Sequence, residues 1–199
     1  MINNQPLVSF VLPTYNRINE LRSTLCALLC QTNENWEALV VVDGLDYSDQ
    51  FRGMLFDIVK GIDKRIRVLY LDKRYNDWGH TPRELGKQQC RGKYVIMSGD
   101  DNYYVPTFVS EFEKTINSYT QPGMIYWDMV HSHYDYSYFK CSPGFNQIDM
   151  GAFATRNDLA QQIVLNTSYA ADGEYVEEFK IKFPQENIIK IPKVLYVHN

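Results

Sequence analysis

The sequence predicts an α/β domain built on a mostly parallel sheet with helices on both faces. Three observations carry that prediction. Short, near-continuous apolar runs rich in β-branched residues alternate with stretches of helical spacing through the first half of the chain. Each of those runs stops at a polar turn, at Pro13, at Asp43-Gly44 and at Ser98-Gly99. The chain's 199 residues, 45% hydrophobic and 22% charged, suffice for one domain with a real core.

The elements follow in order. Leu7 to Leu12 reads as a buried strand closed by Pro13. Ile18, Leu21, Leu25, Leu28 and Leu29 recur at helical spacing, with Glu20, Arg22 and Gln31 off that face. Trp36 to Val42 is a second strand, and Phe51, Leu55, Ile58 and Val59 mark a helix closed near Gly61. Ile66 to Leu71 is a third strand. A polar loop, Asp72 to Thr81, leads into a helix from Pro82 to Arg91, where proline suits the first turn. Tyr94 to Met97 is a fourth strand.

Beyond it come a helix over Pro106 to Tyr119 and a strand over Met124 to Met129. The aromatic stretch His131 to Phe139 reads as a hairpin or as a groove wall able to stack a sugar. Ile148 to Ala154 is a strand, Leu159 to Leu165 and Asp172 to Lys182 are helices, and Ile188 to His198 is a terminal strand or pair of strands. No repeat or linker interrupts the pattern, so residues 1–199 form a single domain.

Twenty Lys and Arg against 24 Asp and Glu leave a net charge of −4, which argues against nucleic-acid binding by counterion release. No apolar run approaches the ~20 residues of a membrane span. Met1 to Pro6 lacks the basic and apolar regions of a signal peptide, so a cytoplasmic chain is expected. Cys26, Cys30, Cys90 and Cys141 show no zinc-ligand spacing and read as reduced thiols.

In an open α/β sheet, ligands bind outside the carboxyl ends of the strands. Those ends carry Pro13-Thr14-Tyr15-Asn16-Arg17, Asp43-Gly44 and Gly99-Asp100-Asp101-Asn102. No Gly-x-Gly-x-x-Gly or P-loop pattern is present, so dinucleotide and P-loop cradles are disfavoured. Two adjacent aspartates at a strand end repel each other unless something neutralises them. A hard divalent cation does so, completing its shell with phosphate oxygens and water. The plainer reading is a solvated turn, for which Asp and Asn are ordinary residues.

These segments resemble glycosyltransferase family 2, with its GT-A fold. Val8 to Arg17 is similar to that family's first strand and nucleotide loop, which makes Pro13, Thr14, Tyr15, Asn16 and Arg17 nucleotide-binding candidates. Val40-Val41-Val42-Asp43-Gly44 resembles its second strand, whose aspartate reads the base. Gly79 to Arg83, with Arg91 to Val95, resembles the segment before the metal motif, where Arg83 approaches the diphosphate. Gly99-Asp100-Asp101-Asn102 sits where the family has Asp-x-Asp. Gly99 then replaces the first aspartate, Asp101 is the metal ligand, and Asp100 contacts ribose or sugar hydroxyls. Leu45 to Asp49 departs from the family's usual run after the base-reading aspartate. Asp172, with Glu174 as rival, stands at the place of the catalytic base, and His198 at that of a further metal ligand.

The resemblance implies a sugar moving from a nucleoside-diphosphate donor to an acceptor hydroxyl, assisted by Mn²⁺ or Mg²⁺. UDP or dTDP donors are favoured, with GDP third, because Asp43 can accept an imide N–H. The acceptor is a glycan, lipid-linked or protein-linked. Residues 1–104 would bind the donor and 105–199 the acceptor. A base attacking opposite the leaving group gives inversion. Against this, Asp172 also reads as a cap of its helix. The alternatives are an inactive nucleotide-sugar-binding module, motivated by Gly99, and a sugar nucleotidyltransferase, which would want a basic Gly-rich loop after the first strand. A viral-polymerase-like reading of Ser-Gly-Asp-Asp needs a larger, basic chain, and a glycosidase needs no nucleotide loop.

Overall fold

The computed structural model describes residues 5–59 and 63–199. The expected helix end near Gly61 and the segment Met1 to Asn4 lie outside the described residues. In chain order the strands are β1 (Val8–Thr14), β2 (Trp36–Val42), β3 (Ile66–Tyr70), β4 (Tyr94–Met97), β5 (Tyr103–Tyr104), β6 (Met124–His131), β7 (Ser137–Phe139), β8 (Phe153–Arg156) and β9 (Ile188–His198). The helices are α1 (Ile18–Leu29), α2 (Asp49–Val59), α3 (His80–Lys87), α4 (Phe108–Ser118), α5 (Asn157–Ala160) and α6 (Ala171–Lys182).

One sheet runs in the order β3-β2-β1-β4-β8-β6-β9-β5, with β7 on β6. The β3-β2-β1-β4 half is parallel throughout. The far half is mixed: β8 is antiparallel to β4 and to β6, whereas β9 runs parallel to β6. Every residue of β1, β2 and β4 is buried, as strands covered on both faces must be. Gly86 lets α3 lie close on the sheet: a Cβ there would meet Val11 Cγ1 at 2.6 Å and Val41 Cγ2 at 2.7 Å. Much of the aromatic surplus is core, centred on Phe10, Tyr104, Phe108, Phe112 and Trp127, with the Phe108 and Trp127 rings 4.7 Å apart.

Several boundaries differ from expectation for identifiable reasons. β1 runs through Pro13, which pairs with Val41; β4 has already ended there, so one side of β1 carries no ladder for proline to break. α3 begins at His80, after Gly79 at φ 81°, and stops at Lys87. Beyond it the backbone is drawn to the sheet: Arg91 N donates to Glu37 Oε1 at 2.6 Å and Gly92 N to Ser9 Oγ at 2.8 Å. The expected helix over Leu159 to Leu165 shrinks to α5. Buried Lys87 donates to the Ile163 carbonyl, and Glu84 Oε2 accepts from Leu165 N at 2.9 Å, so side chains of α3 take up those backbone groups. The strand expected over Ile148 to Ala154 opens as a 3₁₀ turn, Met150–Ala152, because Asp149 Oδ1 accepts from Gly151 N at 2.8 Å. The two-residue β5 has no signal in the sequence. His131 to Phe139 is a hairpin arm, with β7 antiparallel to β6.

Candidate active site

The carboxyl ends of β1, β2 and β4 open into a cavity of about 470 Å³. Pro13, Thr14, Tyr15, Arg17, Asp43, Gly79, Arg83, Asp100, Asp101 and His198 all line it, so the fold gathers nearly every nucleotide and metal candidate at one place. Asn16 does not line it. At φ 54° its Oδ1 accepts from Ser48 N at 2.8 Å, tying the end of β1 to the loop before α2.

The acid pair is bridged by Arg17, which offsets one of its two charges. Its Nη2 donates to Asp101 Oδ2 at 2.8 Å and its Nη1 lies 3.1 Å from Asp100 Oδ1. Asp100 is buried, and burial pushes its carboxyl up to about 6 against the pull of the Thr14 hydroxyl and the Arg17 charge. A Cβ at Gly99 would meet only side-chain ends, Asp101 Oδ1 at 2.8 Å and Asn102 Nδ2 at 2.7 Å, so the turn itself does not demand glycine. Among the described residues, no three His, Cys, Asp or Glu side chains are grouped to hold a metal ion. The residues present still fit Mg²⁺ or Mn²⁺ bound with phosphate, which asks for only one or two protein carboxylates. Asp101, partly exposed to the cavity, supplies one such carboxylate, and the His198 imidazole lines the same cavity.

Asp43 anchors the loop that walls the cavity. Its Oδ1 accepts from Tyr75 N at 2.8 Å and its Oδ2 from Asn76 N at 3.1 Å. A carboxylate offers about four lone-pair sites, so acceptor capacity remains. From the same loop, the Arg74 guanidinium lies 3.7 Å from the Tyr15 ring centroid. Arg83 is held by backbone carbonyls, Nε donating to Ser98 O and Nη1 to Trp78 O, each at 2.8 Å. Burial lowers its pKa, opposed by Asp149 and by the acid pair.

A second cavity of about 500 Å³ adjoins the first. Asp172, His131, His133, Tyr134 and Phe139 all line it, so the aromatic hairpin is also a groove wall. Asp172 lies inside the first turn of α6; the N-cap is Ala170. Its Oδ1 accepts from Gly173 N at 2.7 Å. Burial raises its pKa and the Asp149 charge adds to that, the direction a general base needs. Glu174 lines neither cavity and accepts from Ser168 Oγ at 2.7 Å and from Asn166. His198 lines both cavities, its ring stacked on His131 at 4.1 Å. The two cavities share a wall of Trp78, Arg83, Asp149, Met150 and His198.

Sequence reasoning missed Arg74 and Asp149. Arg74 sat in a loop read only as polar. For Asp149 a signal existed, since a lone carboxylate interrupts the apolar run read as a strand.

A parallel half-sheet with acids at its strand ends, continued by a mixed half with a second cavity alongside, is the architecture of a GT-A glycosyltransferase fold. The chain belongs to glycosyl transferase family 2, whose profile it matches over residues 9–164. TuaG of Bacillus subtilis (strain 168), named for teichuronic acid biosynthesis, is 33% identical over 104 residues, 52% of this chain and 39% of TuaG. WfgD of Escherichia coli, named as a UDP-Glc:alpha-D-GlcNAc-diphosphoundecaprenol beta-1,3-glucosyltransferase, is 28% identical over 99 residues, 50% of this chain and 36% of WfgD. The crystal structure of S. aureus TarS 1–349 superposes with a TM-score of 0.76 at 16% identity, over 96% of this chain and 60% of that one. TarS 1–349 in complex with UDP-GlcNAc gives 0.75 at 18%, over 96% and 57%. The mannosyltransferase PcManGT from Pyrobaculum calidifontis, in complex with GDP-Man and Mn²⁺, gives 0.72 at 16%, over 98% and 57%. The chain spans less than two thirds of the length of each of these proteins.

Proposed function

We propose that the chain transfers a sugar from a nucleoside-diphosphate sugar to an acceptor hydroxyl with inversion. The observation that carries this reading is the shared wall. The cavity holding Arg17 and the acid pair meets the cavity holding Asp172 along one line of residues, where a bond between donor and acceptor would break and form.

On this reading the first cavity takes the nucleotide. Asp43 accepts the base N–H, favouring uracil or thymine with guanine as the third choice. Pro13, Thr14, Tyr15 and Gly79 shape the pocket, and Asp100 accepts from ribose or sugar hydroxyls. Arg17 and Arg83 face the diphosphate, and Arg83 is already held in place by two backbone carbonyls. Asp101, with His198, would hold Mn²⁺ or Mg²⁺, which when bound screens the charge of the leaving diphosphate. Asp172 takes the proton from an acceptor hydroxyl seated in the second cavity. The names of the neighbours, with UDP-GlcNAc on TarS and GDP-Man with Mn²⁺ on PcManGT, support this class of donor. Residues 1–104 form the donor half and 105–199 the acceptor half, taking a glycan, lipid-linked or protein-linked acceptor.

Among the described residues no helix is long and apolar enough to cross a membrane, and the four cysteines are unpaired, which suits a cytoplasmic setting. Gly99 favours a second reading, a binding module without turnover. Nucleoside-diphosphate release from UDP-, dTDP- and GDP-sugars with Mn²⁺, measured with and without an acceptor panel, decides between them. An enzyme releases the nucleotide; a module binds it and releases nothing.

A further inference from the structure

Asp149 stands on the wall common to both cavities. Its mounting is unusually complete for a partly exposed side chain. Oδ1 accepts from Gly151 N at 2.8 Å and from the Tyr196 hydroxyl at 2.7 Å. Tyr196 is fully buried, and its hydroxyl is the donor in this bond. Gly151 makes this contact feasible, because a Cβ there would overlap the Tyr196 hydroxyl. The Gly151 carbonyl is in turn pinned by the Tyr104 hydroxyl at 2.9 Å. Two buried tyrosines and a glycine thus hold one carboxylate oxygen inward. Among the described residues the other, Oδ2, makes no hydrogen bond; His198 Nε2 lies 3.5 Å from it, too far for a good one.

We propose that Asp149 Oδ2 is a binding group for the transferred sugar, accepting a hydroxyl of the hexose at the seam between the two cavities. The inference rests on the nucleotide-sugar reading above and adds a specificity-determining residue to it. A rigid acceptor aimed at a seam suits a polyhydroxylated ring, whose O–H groups bond well to an ionised oxygen. Asp149 also acts on Arg83, so the nucleoside diphosphate without its sugar is the control for any effect passed through that guanidinium.

Asp149→Asn tests this cleanly. The two inward donors keep the amide oxygen in the Oδ1 position, so the mount survives and an NH₂ donor replaces the acceptor at the seam. Titration calorimetry with Mn²⁺ would compare UDP with UDP-glucose and UDP-GlcNAc, and GDP with GDP-mannose. For the sugar nucleotide that binds the wild-type chain, the variant should lose roughly tenfold or more in affinity, the scale of one hydrogen bond to a charged group. The parent nucleoside diphosphate should change less than about twofold by the same argument. Tyr196→Phe, which removes one of the two holds, should show the same sugar-only loss at smaller size, and carries the test if Asp149→Asn fails to fold. Equal losses for nucleotide and sugar nucleotide, or no loss for either, overturn the inference while leaving the donor site standing. A wild-type chain that binds none of these five, nor dTDP or dTDP-glucose, overturns the donor reading and this inference together.

Discussion

The Arg17 guanidinium meets the Asp101 carboxylate at 2.8 Å, bridging the ends of β1 and β4. The same guanidinium reaches Asp100, so one cation sits between two like charges and eases their repulsion at the strand end. Asp101→Ala should abolish Mn²⁺-dependent thermal stabilisation by a nucleoside diphosphate while the fold persists. Undiminished metal-dependent stabilisation in that variant sinks the assignment of Asp101.

Base selection falls to Asp43. UDP and dTDP should compete better than ADP for the wild-type chain, with GDP between them. Asp43→Ala removes the anchor of Tyr75 N and Asn76 N as well as the acceptor, so it should weaken all nucleotides and erase the ranking. A clear preference of the wild type for ADP refutes the role.

Asp172→Asn should leave donor affinity nearly intact and cost roughly 10²-fold or more in transfer rate, the scale of a lost general base. A structural role alone would leave the rate nearly unchanged, since Asp172 sits past the N-cap and its bond to Gly173 can be kept by an amide. Glu174→Gln should leave the rate near wild type, because Glu174 faces Ser168 and Asn166.

Asp100 gives the metal-free chain a pH dependence of definite sign. Its folded pKa of about 6 exceeds the ordinary 3.8, so the folded state binds the proton more tightly. The unfolded chain therefore binds fewer protons in that window, and stability from this group falls as pH rises from about 4 to about 6. Asp100→Asn should flatten that part of the stability curve. The difference amounts to no more than about 3 kcal/mol, read by urea denaturation at several pH values. An unchanged slope refutes the burial argument.

Gly86→Ala is predicted to destabilise by about 1–3 kcal/mol, the usual cost of overpacking, because its methyl would enter the space of Val11 and Val41. Ordinarily this change in a helix interior helps slightly. A gain in the denaturation midpoint would show that α3 can lift from the sheet at little cost.

The parallel half was legible because fully buried strands leave continuous apolar runs, and their ends locate ligands by topology alone. Arg17, Asp43, Asp100 and Asp101 were found that way, Arg83 through the family resemblance, and all five converge on one cavity. What was not legible depends on long-range partners. Asp149 acquires its orientation from Tyr196, 47 positions further along the chain. Arg74 becomes part of a wall only by lying over Tyr15. The ends of α3 and α5 are set by Glu37, Ser9, Glu84 and Lys87 bonding to backbone, which no local periodicity records.

The placement of β9 between β6 and β5 has a consequence for biogenesis. Until Ile188–His198 has left the ribosome, β6 presents an unpaired edge and Tyr104 lacks the neighbouring Tyr196 ring, 5.2 Å away in the finished fold. Nascent chains stalled before Ile188 would therefore expose a hydrophobic strand edge, the kind of surface that holdase chaperones capture and that self-associates when left uncovered.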